Sequence, residues 1–449
     1  MIVIKFGGSS VADAARIRHV ADIVKTQKDK NPALVLSAMG DTTDHLLEAG
    51  DIALQKGKVE FDNIKKLHLA AIKSLKLSVQ KEITAMLDEL SRLLSGISLL
   101  RELTPRTKDY LVSFGERLSV RIAAAYLKSI GLNAQSFDAW EVGFVSNSDF
   151  GRAELEKESW ELIQKRIDHL LNGKVLPVIT GFIAKDANGN ITTLGRGGSD
   201  LSATMIAAAC RADEVQVWKD VDGILTADPR IVKNAKPVQI VSYEEASELA
   251  YFGAQVLHPR AMQPCIKTGT PVLVKNSYNV EAPGTRIEHA AMSTARRNHP
   301  VRAITFRKDV TLVDIVSTRM LGQFGFLAEV FMIFSRNGIS VDMVATSEVS
   351  VSLTLDTAFD LAEVKKELGK IAAVEVKTGK AIVSIIGNVK RSSEILSRAF
   401  KICQLIGVQV QMVSQGASKV NISFIVDDNQ AEEVVKSLHL DFFEELEKP

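Results

Sequence analysis

The sequence has few of the residues that cross-link or anchor a chain. Only three cysteines occur among its 449 residues, they lie far apart, and no CxxC pair is present. This argues against a zinc site and a disulfide framework and favours a reducing compartment, so we expect a cytoplasmic protein. The first ten residues, MIVIKFGGSS, lack the apolar stretch of a secretory signal. No run approaches the roughly eighteen apolar residues of a membrane span, so no membrane partner is expected.

An excess of charge of one sign is also missing. The chain carries 55 basic and 54 acidic residues, for a net charge of +1. A balanced charge gives no long-range field to hold nucleic acid or an anionic membrane, so a charged substrate must be bound by local groups. At this length, domain-size statistics favour two or three domains.

Several catalytic signatures are absent. The chain has no GxxxxGK[ST], no GxGxxG, no HExxH and no GxSxG. Binding through a P-loop or a dinucleotide fingerprint, zinc hydrolysis and serine-nucleophile hydrolysis therefore lose their usual motifs. Two glycine clusters remain as candidates for chemistry.

The first cluster, KFGGSS, directly follows a predicted strand at Ile2–Phe6. Backbone N–H groups at a strand-to-helix turn can bind phosphate. Gly7 and Gly8 permit close approach, and Lys5 supplies a positive charge. Alone, the stretch is equally compatible with an ordinary glycine turn.

The second cluster, GRGGSD at 195–200, precedes a helix predicted to begin near Leu201. Arg196 can hold a carboxylate with two hydrogen bonds, and Asp200 can orient a cation or a lysine. Three glycines, a cation, a hydroxyl and a carboxylate within six residues favour a function in anion binding over a simple loop.

Two further motifs carry no chemistry by themselves. SFGE leads into a predicted helix, where Glu116 in a first turn would be a surface residue that complements the helix dipole. WKDVDG predicts a strand followed by a hairpin turn at Asp222 and Gly223.

Hydrophobic patterning predicts an α/β fold with a largely parallel sheet for roughly the first 290 residues. Buried strands are predicted at 2–6, 33–37, 175–180 and 214–218, and covering helices at 79–100 and 118–130. The segment from His289 to Pro300 is polar and ends in proline, so we place the first domain at 1–292 and the second region at 293–449.

The second region contains a weak internal repeat. GISVDMV at Gly338 recurs as GVQVQMV at Gly407, and each copy follows an amphipathic helix and precedes a further strand. A duplicated strand, helix, strand, strand pattern predicts two ferredoxin-like βαββαβ modules. A duplication without a ligand would give the same pattern.

The motifs KFGGSS, SAMGDTTD, SFGE, TGFIA, GRGGSD, WKDVDG, DPR, FGAQVLHP, STRMLGQFGFLA and VATSEVSVSLTLD occur in an order and spacing that resemble aspartate kinases of the amino-acid kinase family. The resemblance covers nearly the whole chain and is closest in WKD and GAQVLHP to the plant branch. It implies a three-layer αβα kinase domain followed by two ACT modules. The first module, at about 310–378, would be inserted in the second, at about 298–309 and 379–449.

The resemblance implies that ATP with Mg²⁺ phosphorylates the side-chain carboxylate of L-aspartate to 4-phospho-L-aspartate, the first step toward lysine, threonine and methionine. The expected catalytic residues are Lys5 and Asp200, with the metal carried by ATP. Residues expected to bind aspartate are Ser37, Thr43, Glu116, Arg196 and Ser199. Residues expected to bind the nucleotide are Lys5, Gly7, Gly8, Ser9, Lys219, Asp220, Leu225, Arg230 and Gln255.

Three of these nucleotide positions depart from the commoner bacterial pattern, which has threonine, tyrosine and lysine where this chain has Lys219, Leu225 and Gln255. Our hypothesis is that Lys219 replaces the charge missing at Gln255.

Feedback inhibition by L-lysine at the first ACT module, where two subunits meet, is also implied, and with it a homodimer. Pairing of dimers into tetramers stays open. The residues implied around the effector are Met320, Gln323, Phe326, Leu327, Ser340, Val341, Asp342, Thr346, Ser347 and Glu348. Two carboxylates among them suit a diamino acid, which favours lysine over threonine, while the MLGQ run is similar to plant members on which S-adenosylmethionine can act.

Two other interpretations are kept. The substitutions at the nucleotide positions are compatible with an inactive kinase fold that serves as an amino-acid-sensing regulator. Another amino-acid kinase, acting on glutamate or a related acid, is the second, although SFGE and the ACT repeat disfavour it. A fusion to homoserine dehydrogenase is not expected at this length.

Overall fold

The computed structural model describes residues 1–251, 257–289, 300–317, 324–356 and 360–444. Within these ranges the chain forms two compact units. The first comprises the described residues of Met1–Ile224, Gln239–Tyr243 and Val256–Ser293, and the second those of Leu225–Val238, Glu244–Gln255 and Thr294–Pro449. The predicted boundary between residues 292 and 293 stays a prediction.

Eleven strands are described in the first unit. They are β1 (Ile2–Phe6), β2 (Pro32–Leu36), β3 (Ala134–Phe137), β4 (Val145–Ser146), β5 (Leu176–Thr180), β6 (Ile183–Asp186), β7 (Ile191–Thr193), β8 (Glu214–Lys219), β9 (Ile240–Ser242), β10 (Val272–Asn276) and β11 (Thr285–Glu288). Eight of them form one sheet in the order β3-β5-β2-β1-β8-β10-β11-β9, and β4, β6 and β7 form a small second sheet. Neighbours in the large sheet are parallel except β10 and β11.

Nine helices are described before β10, and all but one of them belong to the first unit. They are α1 (Ala14–Thr26), α2 (Thr42–Lys56), α3 (Asp62–Leu75), α4 (Gln80–Leu100), α5 (Pro105–Ser129), α6 (Ser159–Asn172), α7 (Gly198–Ala209), α8 (Tyr243–Tyr251) and α9 (Pro259–Thr268). Helices α1 to α5 pack on one another and α6, α7 and α9 form a second layer, while α8 belongs to the second unit from Glu244 onward. The predicted three-layer αβα arrangement is confirmed.

The strands β1 and β2 at the centre of this sheet are buried along their whole length. All five residues of β1 and of β2 are buried, which a parallel strand covered on both faces requires. The hairpin predicted after Trp218 is wrong: β8 pairs in parallel with β1 and β10, because its partners lie far away in the chain. This arrangement brings the carboxyl ends of β1, β2, β5 and β8 to one edge of the sheet.

The second unit has one antiparallel sheet of six strands. They are β12 (Val301–Val316), β13 (Val344–Thr346), β14 (Ser350–Asp356), β15 (Ala373–Gly387), β16 (Met412–Ser414) and β17 (Asn421–Asp427), in the order β13-β14-β12-β15-β17-β16. Its helices are α10 (Phe326–Arg336), α11 (Ala362–Leu368), α12 (Ser392–Leu405) and α13 (Ala431–His439). The long strands β12 and β15 lie at the centre, so both modules share one sheet.

The internal repeat corresponds to matching helix ends. Gly338 follows α10 and Gly407 follows α12, with φ angles of +67° and +69°, a left-handed conformation that glycine adopts without strain. The prediction of two ferredoxin-like modules is confirmed, and their exact bounds stay a prediction. Short 3₁₀ or π-helical turns lie at Gly8–Val11, Lys28–Lys30, Ala139–Val142, Val389–Arg391, Asp428–Gln430 and Leu440–Glu444. Among the helices of the described segments, none combines the length and apolar character that crossing a bilayer requires.

Candidate active site

A cavity of about 490 Å³ opens at the edge where the parallel strands of the first unit end. This is the position at which open α/β sheets bind ligands. Both glycine clusters contribute to its wall, which consists of Lys5, Gly8, Ser37, Ala38, Gly40, Thr43, Glu116, Phe182, Gly195, Arg196, Gly197, Gly198, Ser199 and Asp200. All seven residues predicted as catalytic or aspartate-binding thus line it.

The first glycine cluster packs tightly against the turn that follows β2. A Cβ on Gly8 would lie 2.9 Å from the carbonyl oxygen of Ala38 and 3.0 Å from that of Gly40, so only glycine fits there. The Gly40 N–H donates to the Gly8 carbonyl at 3.1 Å, and the Ser10 N–H donates to the Gly7 carbonyl at 3.0 Å. These contacts hold the KFGGSS turn open toward the cavity.

An ammonium group and a carboxylate lie at the base of the cavity. Lys5 Nζ is 2.6 Å from Asp200 Oδ1, and both side chains are less than a tenth exposed. Lys219 Nζ approaches the other oxygen, Asp200 Oδ2, at 3.6 Å. Burial opposes ionisation of Asp200, yet Lys5 and Lys219 hold its pKa below the usual range. Burial also lowers the pKa of Lys219. Two ammonium groups therefore share one carboxylate, and the excess positive charge suits a phosphate.

The second glycine cluster forms the start of α7. Gly195 and Gly197 both have φ +72°, and a Cβ on Gly197 would lie 2.7 Å from His258 Cβ. Ser199 and Asp200 occupy the first helical turn, where free N–H groups face an anion. Arg196 is exposed, and within the described segments its guanidinium makes no ion pair or hydrogen bond, so it can bind a ligand carboxylate.

The structure corrects the prediction for Glu116. This residue lies in the interior of α5, not in a first helical turn, and it is 3% exposed. Its Oε1 accepts the Ala38 N–H at 3.2 Å, while Oε2 is buried and has no hydrogen-bond partner in the described part of the chain. Burial raises the pKa of Glu116 to about 8, against the opposing effects of backbone hydrogen bonds and the Lys5 ammonium. An ammonium group of a ligand would satisfy this carboxyl group.

The two remaining predicted aspartate-binding residues lie beside it. The Ser37 N–H donates to the Phe6 carbonyl at 3.2 Å, which fixes the turn after β2. Thr43 is in the first turn of α2, and a Cβ on Gly115 would lie 3.6 Å from its Oγ1. The side chains of Ser37 and Thr43 are therefore presented to the cavity next to Glu116.

The residues predicted to bind the nucleotide belong to both units. Gly7, Ser9, Lys219 and Asp220 are in the first unit, and Ser9 accepts a hydrogen bond at its carbonyl from Tyr278 Oη at 3.2 Å. Leu225 and Arg230 belong to the second unit, where Arg230 pairs with Asp228 at 2.6 Å. Gln255 lies outside the described residues.

Several residues that shape this site were not predicted from the sequence. Ala38, Gly40 and Phe182 line the cavity, and Ser277 Oγ donates to the Lys219 carbonyl at 2.9 Å. Ala38 and Gly40 lie within SAMGDTTD and Phe182 within TGFIA, so the motifs themselves were the available signal. Ser277 follows β10, and only the sheet order brings it next to β8.

The predicted effector residues lie in the second unit, around the start of α10 and the strand β13. Phe326 and Leu327 begin α10, Ser340, Val341 and Asp342 precede β13, Thr346 ends it, and Ser347 and Glu348 follow. Met320 and Gln323 lie outside the described residues. The Asp342 carboxylate is already engaged, since it accepts hydrogen bonds from the Tyr251 hydroxyl and the Arg307 guanidinium.

No group of three or more histidine, cysteine or acidic side chains that could hold a metal ion occurs in the described residues. The cysteines Cys210, Cys265 and Cys403 are all free.

Comparisons with known proteins give a consistent result. The sequence profile of the Amino acid kinase family matches residues 1–276, and that of the ACT domain matches residues 313–368 and 383–442. Aspartokinase 1, chloroplastic, of Arabidopsis thaliana is 51% identical over 98% of this chain and 80% of its own length.

Two solved structures of aspartokinase III from E. coli cover 99% of this chain and 100% of their own. One, in complex with aspartate and ADP in the R-state, superposes with a TM-score of 0.81 at 34% identity. The other, in complex with lysine and aspartate in the T-state, has a TM-score of 0.81 at 35% identity.

Proposed function

The chain belongs to the aspartokinase family, and from this premise we propose that it transfers the γ-phosphoryl group of ATP to the side-chain carboxylate of L-aspartate. It is a phosphotransferase with a carboxyl group as acceptor, and its product is 4-phospho-L-aspartate. The observation that carries the proposal is the single cavity that joins the Lys5–Asp200 pair to the unpartnered oxygen of Glu116 and the guanidinium of Arg196.

Aspartate carries one ammonium group and two carboxylates, and the cavity offers a partner for each. The buried Glu116 carboxyl suits the ammonium group, and Arg196 suits the α-carboxylate with a bidentate contact. Ser37, Thr43 and Ser199 add hydrogen bonds from the same wall. With its ammonium group and α-carboxylate held in this way, aspartate would direct its side-chain carboxylate toward Lys5.

The acceptor needs no general base, because a side-chain carboxylate with a reference pKa of about 3.9 is ionised at neutral pH. The difficulty is electrostatic: two unit charges at 4 Å repel by roughly 4 kcal/mol at an effective dielectric constant of 20. Lys5 and the N–H groups of both glycine clusters would offset this repulsion, and Asp200 would hold the Lys5 ammonium in place.

The nucleotide is expected to lie against Gly7, Gly8 and Ser9 with its phosphates near Lys5 and Lys219. Asp220, Leu225, Arg230 and Gln255 are proposed for the remainder of the nucleotide. Mg²⁺ fits as a companion of ATP, since it is usually held by substrate phosphates and one or two carboxylates, and Asp200 is a buried carboxylate at the cavity. When bound, it would neutralise charge on the phosphate oxygens.

Lysine inhibition is the proposed regulation, through the first ACT module. The carboxylates of Asp342 and Glu348 suit the ammonium groups of a diamino acid. The N-terminus of α10, at Phe326, presents free N–H groups that suit its carboxylate. Met320, Gln323, Leu327, Ser340, Val341, Thr346 and Ser347 complete the proposed effector set.

A homodimer through the ACT modules is proposed from the apolar surface around the same elements. Leu327 and Met332 on α10 are exposed, as is Phe324 just before it. Val344 is exposed too, on β13, which is an edge strand of its sheet. An exposed edge strand beside an apolar helix face is a template for pairing with a second copy. Sedimentation at several protein concentrations tests this association.

The proposed location is the cytoplasm, because three free thiols suit a reducing compartment. The Arabidopsis relative is named chloroplastic, so cell fractionation is the appropriate test.

One assay tests the activity. Purified protein is incubated with ATP and Mg²⁺ plus aspartate, glutamate or buffer, each with and without lysine, and acyl phosphate is trapped with hydroxylamine. We expect hydroxamate from aspartate alone, and less of it with lysine. Hydroxamate from glutamate at an equal rate, or none from either acid, would contradict the assignment.

A further inference from the structure

A buried carboxylate outside the cavity connects two parts of its wall. Asp109, on the first turns of α5, is 3% exposed. Its Oδ2 accepts the N–H groups of Gly151 at 2.9 Å and Thr193 at 2.8 Å, and its Oδ1 accepts the Thr193 hydroxyl at 2.9 Å. Two of these donors belong to Thr193, which lies just before the second glycine cluster, and the third belongs to Gly151 in the segment that follows β4.

The backbone held by Asp109 at Thr193 runs directly into residues 194–197, which connect β7 to α7 and which we call the Arg196 loop. Thr193 ends β7, three residues before Arg196, and its carbonyl accepts the Ala153 N–H at 2.8 Å. The Gly151 carbonyl lies 3.1 Å from where a Cβ on Gly195 would be. The two segments that Asp109 holds, around Gly151 and Thr193, therefore also determine the position of Gly195.

A second side chain holds the same loop from another helix. Arg260, on α9, donates through Nη1 to the Leu194 carbonyl at 3.0 Å and through Nη2 to the Ala153 carbonyl at 2.8 Å. Asp109 thus satisfies N–H groups of this segment, while Arg260 satisfies its carbonyl groups. We call Asp109 and Arg260 together the loop clamp.

The same helix that carries Asp109 also carries Glu116. The two residues lie seven positions apart, which is about two helical turns and a rise of about 10 Å, and both are buried. Asp109 therefore joins the helix that would hold the ammonium group of aspartate to the loop that would hold its α-carboxylate.

We propose that Asp109 is a positioning residue for amino-acid recognition, which sets the distance between Glu116 and Arg196 with help from Arg260. This inference rests on the proposed function for the identity of the ligand. Asp109 does not touch the cavity, so it acts through the Arg196 loop, and the nucleotide side of the site does not depend on it.

Asp109→Asn removes one of the two acceptor oxygens and places an NH₂ group among backbone N–H donors. We expect KM for aspartate to rise by about ten- to a hundredfold, because a displacement of about 1 Å in a binding group has effects of that order. KM for ATP should change less than threefold. Thr193→Val, which removes only the hydroxyl contact, and Arg260→Lys, which loses the two-pronged contact, should give smaller changes in the same direction.

A binding measurement separates positioning from general damage. Succinate lacks the ammonium group, and β-alanine lacks the α-carboxylate. If Asp109 acts through Arg196, Asp109→Asn should weaken binding of succinate by calorimetry about as much as that of aspartate, and should leave β-alanine within threefold. Equal weakening of all three ligands, or of ATP as well, would overturn the inference.

Asp186→Asn is the matched control. Asp186 is also a buried aspartate, 5% exposed, and it accepts the N–H groups of Asn188 at 3.0 Å and Asn190 at 2.8 Å at the turn between β6 and β7. The Asp186→Asn substitution should lower the thermal midpoint without changing KM for aspartate. A rise in this KM equal to that of Asp109→Asn would overturn the inference.

A failure of the proposed function can be distinguished from a failure of this inference. If the proposed function is wrong, the wild-type protein will form no acyl phosphate from aspartate. The binding comparison needs no turnover, so it still decides whether Asp109 governs carboxylate binding at Arg196.

Discussion

The protonation state of Glu116 should control aspartate binding, and pH is the perturbation that reveals it. The carboxyl group is buried, one of its oxygens has no partner in the described residues, and its pKa is raised to about 8. Free enzyme at neutral pH is therefore mostly protonated at Glu116. Only the ionised carboxylate can pair with the ammonium group of aspartate, so binding must be coupled to loss of this proton.

The magnitude follows from the pKa. At pH 6 about 1% of the free enzyme carries the carboxylate form, and at pH 7 about 10% does, so kcat/KM for aspartate should rise roughly tenfold per pH unit up to pH 8 and then level off. The profile of kcat should be nearly flat over this range, because the bound ammonium group keeps Glu116 ionised. Succinate binding should weaken over the same interval, since it has no ammonium group to offer.

Stability should show the opposite pH dependence. Folded protein retains a proton on Glu116 between the ordinary pKa of 4.5 and the raised value of about 8, whereas unfolded protein has lost it. The free energy of unfolding therefore falls as pH rises through this window, by about 5 kcal/mol in all at 1.36 kcal/mol for each pKa unit. Between pH 6 and pH 9, the stability of wild type relative to Glu116→Gln should fall by about 3 kcal/mol.

Urea unfolding followed by tryptophan fluorescence suits this measurement. Trp140, Trp160 and Trp218 are the three tryptophans of the sequence, and all lie in the first unit, as Glu116 does. A flat kcat/KM from pH 6 to pH 8 would refute the control of aspartate binding by Glu116. The same stability difference between wild type and Glu116→Gln at pH 6 and pH 9 would also refute it.

Three further outcomes are expected. Lys5→Ala should lower kcat about a hundredfold or more with small changes in either KM, because Lys5 stabilises charge in transfer; more than a tenth of wild-type kcat would count against this role. Lys219→Ala should raise KM for ATP, and Gln255→Lys in that background should restore it. An unchanged KM in Lys219→Ala, with tighter ATP binding in Gln255→Lys alone, would end the compensation hypothesis. Tyr251→Phe removes a donor that competes for Asp342, so half-inhibition should need up to about tenfold less lysine; an unchanged lysine curve would contradict this.

Much of the first unit was predictable from local patterns. The strand predicted at Ile2–Phe6 and the glycines after it placed Lys5 near a strand end, and GRGGSD placed Asp200 just before a helix predicted to begin near Leu201. The helix begins three residues earlier, at Gly198, so Asp200 lies in its first turn, and the parallel sheet brings it to Lys5. Gly338 and Gly407 marked the ends of equivalent helices, which made the duplicated module visible.

Other features depend on contacts between residues that are distant in the chain. Glu116 was assigned to a helix start because SFGE carries no sign that α5 begins eleven residues earlier, at Pro105. The hairpin after Trp218 failed because the partner strands of β8 begin at Ile2 and Val272. Asp109 had no motif at all, and its role emerges only where α5 meets β7.

The engagement of Asp342 by Tyr251 and Arg307 has a consequence for how sensitivity to lysine could change. An incoming ammonium group meets an acid that already has internal partners, so the observed affinity measures a difference between two sets of bonds. Strengthening or weakening the internal set would shift the inhibitory concentration while every atom that contacts lysine stayed the same. Substitutions at Tyr251, at the end of α8, could therefore change the concentration of lysine needed for inhibition without changing the residues that contact lysine.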